Sequence, residues 1–566
     1  MSTAPSPLAA HRVRPLPVVA ALRLGRPSDI WFKPALSVVV ATAIPDGALL
    51  AAGRLDLATA TTAGSLCALY GHHLPYRARS RAVGGVVLGM LAGSAAAMAA
   101  AALTTSVVLL VAIGALLAAV QKALCDATRT GPPGHVILAF VSSATLFAPI
   151  TADRIPGRLA LTAAAGALAW LVCLAPALVR RDGPERYAVA RALDAAAALT
   201  LATDAPARDR HRAGLAAAVH SAWQCLLAAG PRTPDRASPD RASLARLVVH
   251  AENALADGHD TRATRLPAAA LTAHARTLRT GRPVPATGGG EDELLGLAAE
   301  FAGHARPARS PLRALGPGSP LLPIATRTFL GCALAGWAAA ALGVGRPSWA
   351  IVTAASLYQV NLTLTWNRTL QRVVGNLLGV LLFAAVAPIA RQGAVPLVLC
   401  CLAAGFGAEA LIARNYWLGS VCVTPMALLV TEFGRTQQTG ELITDRVADT
   451  LTGALAGLVA VLLVTNRRAG ARLEHALTAA AGARTAADRL LTGPAPALQP
   501  ATLAAARRTL TGALVDLRTA ADAATGEWWQ RALPEQQVVA EERAGHRTLA
   551  ATVRLQGPPA REGTTR

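Results

Sequence analysis

Lysine is almost missing from this chain. Only Lys33 and Lys122 occur among 566 residues, although Lys and Arg together number 54. A net charge of +21 and a pI near 11.1 would ordinarily suggest a nucleic-acid partner. Here the positive charge is arginine gathered at the ends of apolar runs, the pattern that orients membrane proteins, so no nucleic acid is expected. Metal-type cysteine spacing is missing too. Cys67, Cys125, Cys173, Cys332, Cys400, Cys401 and Cys422 lie in or beside apolar runs, and Cys225 lies in the polar middle. No CxxC or Cys/His ligand spacing occurs, which argues against a zinc site or a disulfide framework. No GxxxxGK[ST] and no GxGxxG in a strand–helix setting is present, so the chain brings no evident ATP motor. With no triad, carboxylate pair or metal cluster in view, neither an enzyme nor a cofactor is expected. The N-terminal MSTAPSPLAAHRVRPLPVV lacks a long apolar segment with a cleavage site, so no cleaved signal peptide is read there.

Formal charge is what the longest stretches lack. Residues 82–121 are 40 positions without Asp, Glu, Lys or Arg. As one helix they would reach about 60 Å, twice a hydrocarbon core of ~30 Å. They fit two spans joined by a tight turn, placed at Thr104-Thr105-Ser106. The same reading predicts six spans in a first half, at 34–53, 57–76, 82–102, 104–121, 134–152 and 159–179. It predicts six more at 328–345, 347–365, 373–390, 392–411, 415–431 and 448–466. The expectation is an all-α membrane protein with about 12 transmembrane helices.

Arginine and lysine fall mostly on one side of these spans: Lys33, Arg77, Arg79, Arg81, Lys122, Arg129, Arg180 and Arg181, then Arg368, Arg372, Arg414, Arg467 and Arg468. By the positive-inside rule that side is cytoplasmic, so a multi-pass protein of the cell membrane with both termini inside is expected. The polar region between the halves carries amphipathic stretches at 187–203, 211–229, 241–257, 266–279 and 291–305. The tail repeats the pattern at 468–492, 500–525 and 534–553. The expected organisation is a cytoplasmic N-terminal segment (1–33), a first membrane repeat (34–180), a cytoplasmic helical domain (181–322), a second membrane repeat (323–466) and a cytoplasmic helical C-terminal domain ending in a disordered tail (467–566).

The halves share landmarks. Arg77-x3-Arg81 followed by Gly85 and Gly89 matches Arg368-x3-Arg372 followed by Gly375 and Gly379. Ala148-Pro149 then Asp153-Arg154 matches Thr424-Pro425 then Asp445-Arg446. The first interval from Arg to Asp is 76 residues and the second is 77. Six spans per half bring both halves in from the same side, so a parallel repeat about an axis along the membrane normal is expected, with the substrate route between the halves.

At these residues the second half resembles the fusaric acid resistance type (FUSC) family of aromatic acid exporters. The resemblance rests on Trp349-x3-Thr353, Arg368-x3-Arg372-x2-Gly375-x3-Gly379, Asn415-Tyr416 running to Val423-Thr424-Pro425, and Asp445-Arg446-x2-Asp449-Thr450-x2-Gly453. It covers about 325 to 466, and the first half looks like a degenerate copy. The resemblance implies export of aromatic carboxylic acids or similar organic anions, driven by the proton gradient.

Candidate residues follow from charge at depth. Arg368 and Arg372 share a helix face at the cytoplasmic end of a span, where they either anchor an entering carboxylate or serve topology and lipid contact. Arg77 and Arg81 are the weaker pair. Tyr358, Gln359, Asn361 and Thr424 are candidates to line a polar cavity; Trp349 and Tyr416 are equally read as interfacial aromatics. Asp46, beside Pro45, and Glu409 are intramembrane carboxylates and proton-coupling candidates. The simpler readings are a shallow interfacial site for Asp46 and an ion pair with Arg414 for Glu409. Asp445-Arg446 and Asp153-Arg154 are read as a gate or as helix-start charges. Pro425 and Pro149 are expected to break helices within spans, and the Gly-x3-Gly faces to allow close helix contact. His72-His73 is read as interfacial. The expected partners are a small organic anion and the bilayer; a homo-oligomer is left open. A passive anion channel and a non-transporting scaffold stand as alternatives to the exporter.

Overall fold

The computed structural model describes residues 18–25, 30–229, 239–254, 266–285, 321–343, 346–359, 361–434, 437–464, 468–493, 500–525 and 534–555. Every regular element among them is helical. The stretch 291–305 and most of the N-terminal segment lie outside the described residues.

Twelve apolar helices stand where spans are expected. The first half holds α1 (Phe32–Ala51), α2 (Ala58–Ser65, with a 3-10 turn at either end), α3 (Tyr76–Leu103), α4 (Val107–Ala127), α5 (Val136–Leu146) and α6 (Ile155–Leu174). The second holds α7 (Leu322–Leu342), α8 (Pro347–Leu357), α9 (Leu362–Ala390), α10 (Ala394–Ile412), α11 (Tyr416–Glu432) and α12 (Thr439–Leu463). The break between α3 and α4 falls at Thr104–Ser106, as read. There the Thr104 hydroxyl accepts the Ser106 N–H at 3.1 Å and stops the helix.

Only eight of the twelve are long and apolar enough to cross a membrane alone: α1, α3, α4, α6, α7, α9, α10 and α12. The four short ones are the second and fifth of each half. Among the described residues the expected count of twelve full spans is therefore not confirmed. α5 and α8 have 11 residues each, about 17 Å of helix, half a hydrocarbon core. Their shortness has local causes. The chain turns extended at Tyr70 after α2 and at Tyr358 after α8. Asn361 then starts α9 by accepting the Leu364 N–H at 2.8 Å. Every residue of α8 from Ser348 to Leu357 is buried. The long helices instead turn apolar side chains outward, among them Leu36, Ile44, Leu88, Leu116, Leu381, Val395, Leu399 and Leu463. So broad an apolar exterior suits lipid, not water.

The halves meet reciprocally. α1 packs on α10 and α7 on α4; α8 packs on α5 and α11 touches α2. Inside each half the pairs also correspond, with α3 against α5 and α6, and α9 against α11 and α12. This is the exchange that a two-fold relation between parallel repeats requires. The seam itself is not the open route expected from sequence. On its α4–α5–α7–α8 side it is filled by Val111, Ala115, Ala118, Ala139, Ala335 and Ile351. Small side chains there let the helices approach too closely to leave a passage.

The polar region folds into helices Gly183–Leu201, Ala205–Ala228, Pro239–Asn253 and Ala268–Thr280, and the tail into Arg468–Thr492, Pro500–Thr525 and Glu535–Leu555. Each has its own apolar core. They join through a buried pair, Arg507 to Glu252 at 2.8 Å, with Glu252 also accepting the Trp223 indole N–H at 2.6 Å. Both soluble regions therefore attach on one side of the membrane helices. The Asn361 amide donates to the Asp522 carbonyl at 3.2 Å, tying the start of α9 to the tail.

Candidate functional site

A dense group of buried polar side chains lies inside the second half, between α8, α9, α11 and α12. Helical spacing builds it. Trp349, Thr353 and Ser356 share one face of α8; Arg368, Arg372 and Asn376 share one face of α9. Tyr416, Ser420 and Thr424 follow at intervals of four on α11, and Arg446, Asp449 and Thr450 lie one turn apart on α12. Glycines let these faces converge. A Cβ on Gly375 would lie 2.5 Å from the Ser420 Cβ, one on Gly379 2.6 Å from the Thr424 Cβ, and one on Gly453 2.6 Å from the Ala350 carbonyl oxygen. The Gly-x3-Gly reading therefore holds for α9. It fails for α3, where Gly85 and Gly89 face open space. There the close approach is at Gly93, against Gln121 and Ser142.

At the centre, Asn376 donates to Thr450 at 3.0 Å and accepts from Thr424 at 2.9 Å, binding three helices by one amide. Towards the start of α9, the Arg368 guanidinium stacks 3.4 Å over the Tyr416 ring, and Arg372 donates to the Tyr416 hydroxyl at 3.1 Å. Towards the other membrane face, Arg446 lies 4.2 Å over the Trp349 ring, and Trp349 meets Phe140 of α5 at 5.5 Å between ring centroids. Asp449 accepts the Arg346 backbone N–H at 2.9 Å, and Arg346 approaches Asp445 at 4.0 Å.

The electrostatics are unbalanced. Arg446 is only 1% exposed, yet none of its three guanidinium nitrogens has a hydrogen-bond partner. The second carboxylate oxygen of Asp449, the Nε of Arg372 and the hydroxyls of Thr353 and Ser420 are buried without partners as well. Three guanidinium groups, on Arg368, Arg372 and Arg446, face a single carboxylate, Asp449. A buried charge without a counter-ion costs several kcal/mol, and the arrangement can offset it by taking in an anion.

The other sequence candidates lie elsewhere. Tyr358 packs with Leu362, Ala460 and Val461 and donates to the Gly457 carbonyl at 3.3 Å. Gln359 and Asn361 belong to the start of α9. Arg77 and Arg81 are exposed. Between them Arg79, 2% exposed, donates to the carbonyls of Gly71, His72, Leu74 and Cys173 at 2.7–3.2 Å. It staples the α2–α3 loop to α6. Asp153 and Arg154 are exposed in a 3-10 turn, so the duplicated Asp-Arg landmark diverges. Arg446 is no helix-start charge, because α12 begins seven residues earlier at Thr439. Pro425 is buried within α11, whereas Pro149 falls beyond the end of α5, so it breaks no helix. Asp46 is 1% exposed in α1, five residues before the helix ends at Ala51. Glu409 is half-buried in α10 and, among the described residues, forms no ion pair with Arg414.

Arg346, Asn376, Ser420 and Asp449 escaped the sequence reading as site residues. The Arg446-x2-Asp449-Thr450 spacing was the available signal, since it sets two charges and a hydroxyl on one apolar helix.

Residues 334–460, which contain all the residues of this cluster, match the family described as fusaric acid resistance protein-like. A curated relative, the uncharacterized membrane protein YvaC of Bacillus subtilis (strain 168), is 31% identical over 137 residues, which are 24% of this chain and 22% of the relative. The matched stretch thus spans about a fifth of that relative's length. No solved structure matches the chain. The chain is a multi-pass, all-helical membrane protein whose second membrane half carries the fusaric acid resistance protein-like match.

Proposed function

We propose that this protein exports organic anions, chiefly aromatic carboxylates, across the cell membrane, and that Arg446 and Trp349 recognise them. One observation carries the reading: a fully buried guanidinium stacked on an indole, with every nitrogen unpaired. A carboxylate meets a guanidinium through two parallel hydrogen bonds. An indole face gives an aromatic ring an offset partner beside that contact. Arg372 and Arg368 lie on the path toward the soluble helices and draw the anion from that side. The arginine distribution supports reading that side as cytoplasmic, with both termini inside. Export against a gradient then needs an energy source, which the proton gradient supplies. The chain's own groups bind and release without covalent chemistry.

The test is uptake into inverted vesicles bearing the full chain, with a panel of aromatic carboxylates and an imposed proton gradient. Accumulation of at least one of them, lost in Arg446→Gln, is expected. No accumulation of any, from several well-folded preparations, overturns the exporter reading. Flux that ignores the gradient turns the reading to a passive channel.

A further inference from the structure

The second feature of the membrane region that begs a partner is not in the arginine cluster. On the seam's other side, α1 and α2 of the first half face α10 and α11 of the second around a small recess. Its lining is apolar, with Val38, Leu66, Cys401, Met426 and Phe433 among the walls. Into it points Asp46, 1% exposed, with neither carboxylate oxygen hydrogen-bonded. The neighbouring Thr61 spends its hydroxyl proton on the Ala58 carbonyl at 3.0 Å.

We propose that Asp46 is the proton-carrying group of the transporter, holding a proton while its carboxyl group is buried as here and releasing it when the halves part and water enters. This rests on the exporter reading for what the proton drives, but the site itself stands on its own geometry. An ionised carboxylate without a donor costs far more in such surroundings than a neutral carboxyl group, which is compatible with an apolar wall. No basic side chain lines the recess to hold the charged form. The surrounding elements give no substitute. α2 presents Thr62 and α10 presents Cys401, while Glu409 of α10, Tyr416 and Cys422 of α11, and Glu432, which is paired with Arg391, lie outside the lining. The Arg54–Asp56 pair beyond α1 is exposed and closed on itself at 3.0 Å. The position is also mechanical. The recess is bounded by two helices from each half, so any rocking of one half against the other changes its access to water. The opposite side of the seam, packed with alanines, acts as the pivot. Each cycle moves one proton on and off one carboxyl group, with no other bond made or broken.

Two measurements on the full chain in bilayers test this. The first is the pH-difference infrared spectrum without any substrate. A neutral-carboxyl band that titrates should be present in the wild type and in Glu409→Gln, and lost in Asp46→Asn. An unchanged band in Asp46→Asn overturns the proposal whatever the protein transports. The second uses benzoate as probe in proteoliposomes. Asp46→Asn should keep benzoate binding and benzoate–benzoate exchange within about twofold while gradient-driven accumulation falls at least tenfold. Accumulation that survives in Asp46→Asn overturns the coupling role and leaves the exporter reading intact. Absence of benzoate binding in the wild type counts against that reading instead, with the infrared result still deciding Asp46.

Discussion

Buried arginines in this protein have two different fates, and the difference separates structure from function. Arg79 gives its protons to four carbonyls and is fully satisfied. Hydrogen bonds to a charged donor contribute about 1.5–3 kcal/mol each, so Arg79→Ala should lower stability by about 3 kcal/mol or more. Arg81→Ala, at an exposed position, should stay within about 0.5 kcal/mol. Thermal unfolding in detergent compares them directly. Arg446 is the opposite case, a buried guanidinium that rests on an indole and shares Asp449 with two other arginines but makes no hydrogen bond. Removing such a buried charge and filling its space with an apolar side chain is commonly neutral or stabilising. Arg446→Leu should therefore melt at or above the wild-type temperature without ligand, while losing at least about tenfold, or 1.4 kcal/mol, in affinity for aromatic carboxylates. A variant that melts well below wild type and still binds would assign Arg446 to the framework.

At the scale of helices, the account turns on where backbones must touch. α9 reaches α11 at Gly375 and Gly379, where no side chain fits. Gly375→Val should cost about 2 kcal/mol or more through overpacking, or block expression. Gly85→Ala, with nothing within 4 Å, should be silent. Expression and melting temperature of the two variants make the comparison. Helix positions were legible in the sequence because lack of charge and the Thr-Thr-Ser break are local signals. Helix lengths were not, because α5 and α8 stop where tertiary packing satisfies their ends. The site was half legible. The Arg368-x3-Arg372 spacing pointed to an anion contact and charge at depth to Asp46, whereas Arg446 read as a gate or helix-start charge and Trp349 was masked by the usual interfacial habit of tryptophan. Its burial beneath Arg446, with 6% left exposed, is a fact of packing, and no window of sequence contains it. Likewise Arg77 and Arg81 repeat the motif but not its environment, so a duplicated spacing alone misled.

Across the whole molecule, two related halves have diverged in task. The second half holds Arg446 with its guanidinium bare, while the first contributes Asp46 to the seam and ties its helices by contacts such as Gln121 donating to Ser142 at 2.7 Å. The soluble helices, joined through Glu252 and Arg507, form a base whose stability should depend on pH. Burial, with the charge of Arg212, pushes His546 down to about 4, and burial also lowers His220 and His250. A histidine depressed in the folded state binds its proton more readily when unfolded. Stability is then full above about 6.5 and falls as pH drops toward 4. Glu542, raised by burial, acts in the opposite sense at the low end. Hydrogen exchange in helix Glu535–Leu555 should accelerate between pH 7 and pH 5, after correction for intrinsic rates, and less so in His546→Gln. The central claim remains that the unpaired guanidinium over Trp349 is an anion seat. The most direct measurement is a structure of the full chain with 4-iodobenzoate, located by the iodine. Iodine within contact distance of Trp349, with the carboxylate on Arg446, is the predicted result. Iodine confined to other surfaces, with Arg446 still bare at saturating ligand, would contradict the account.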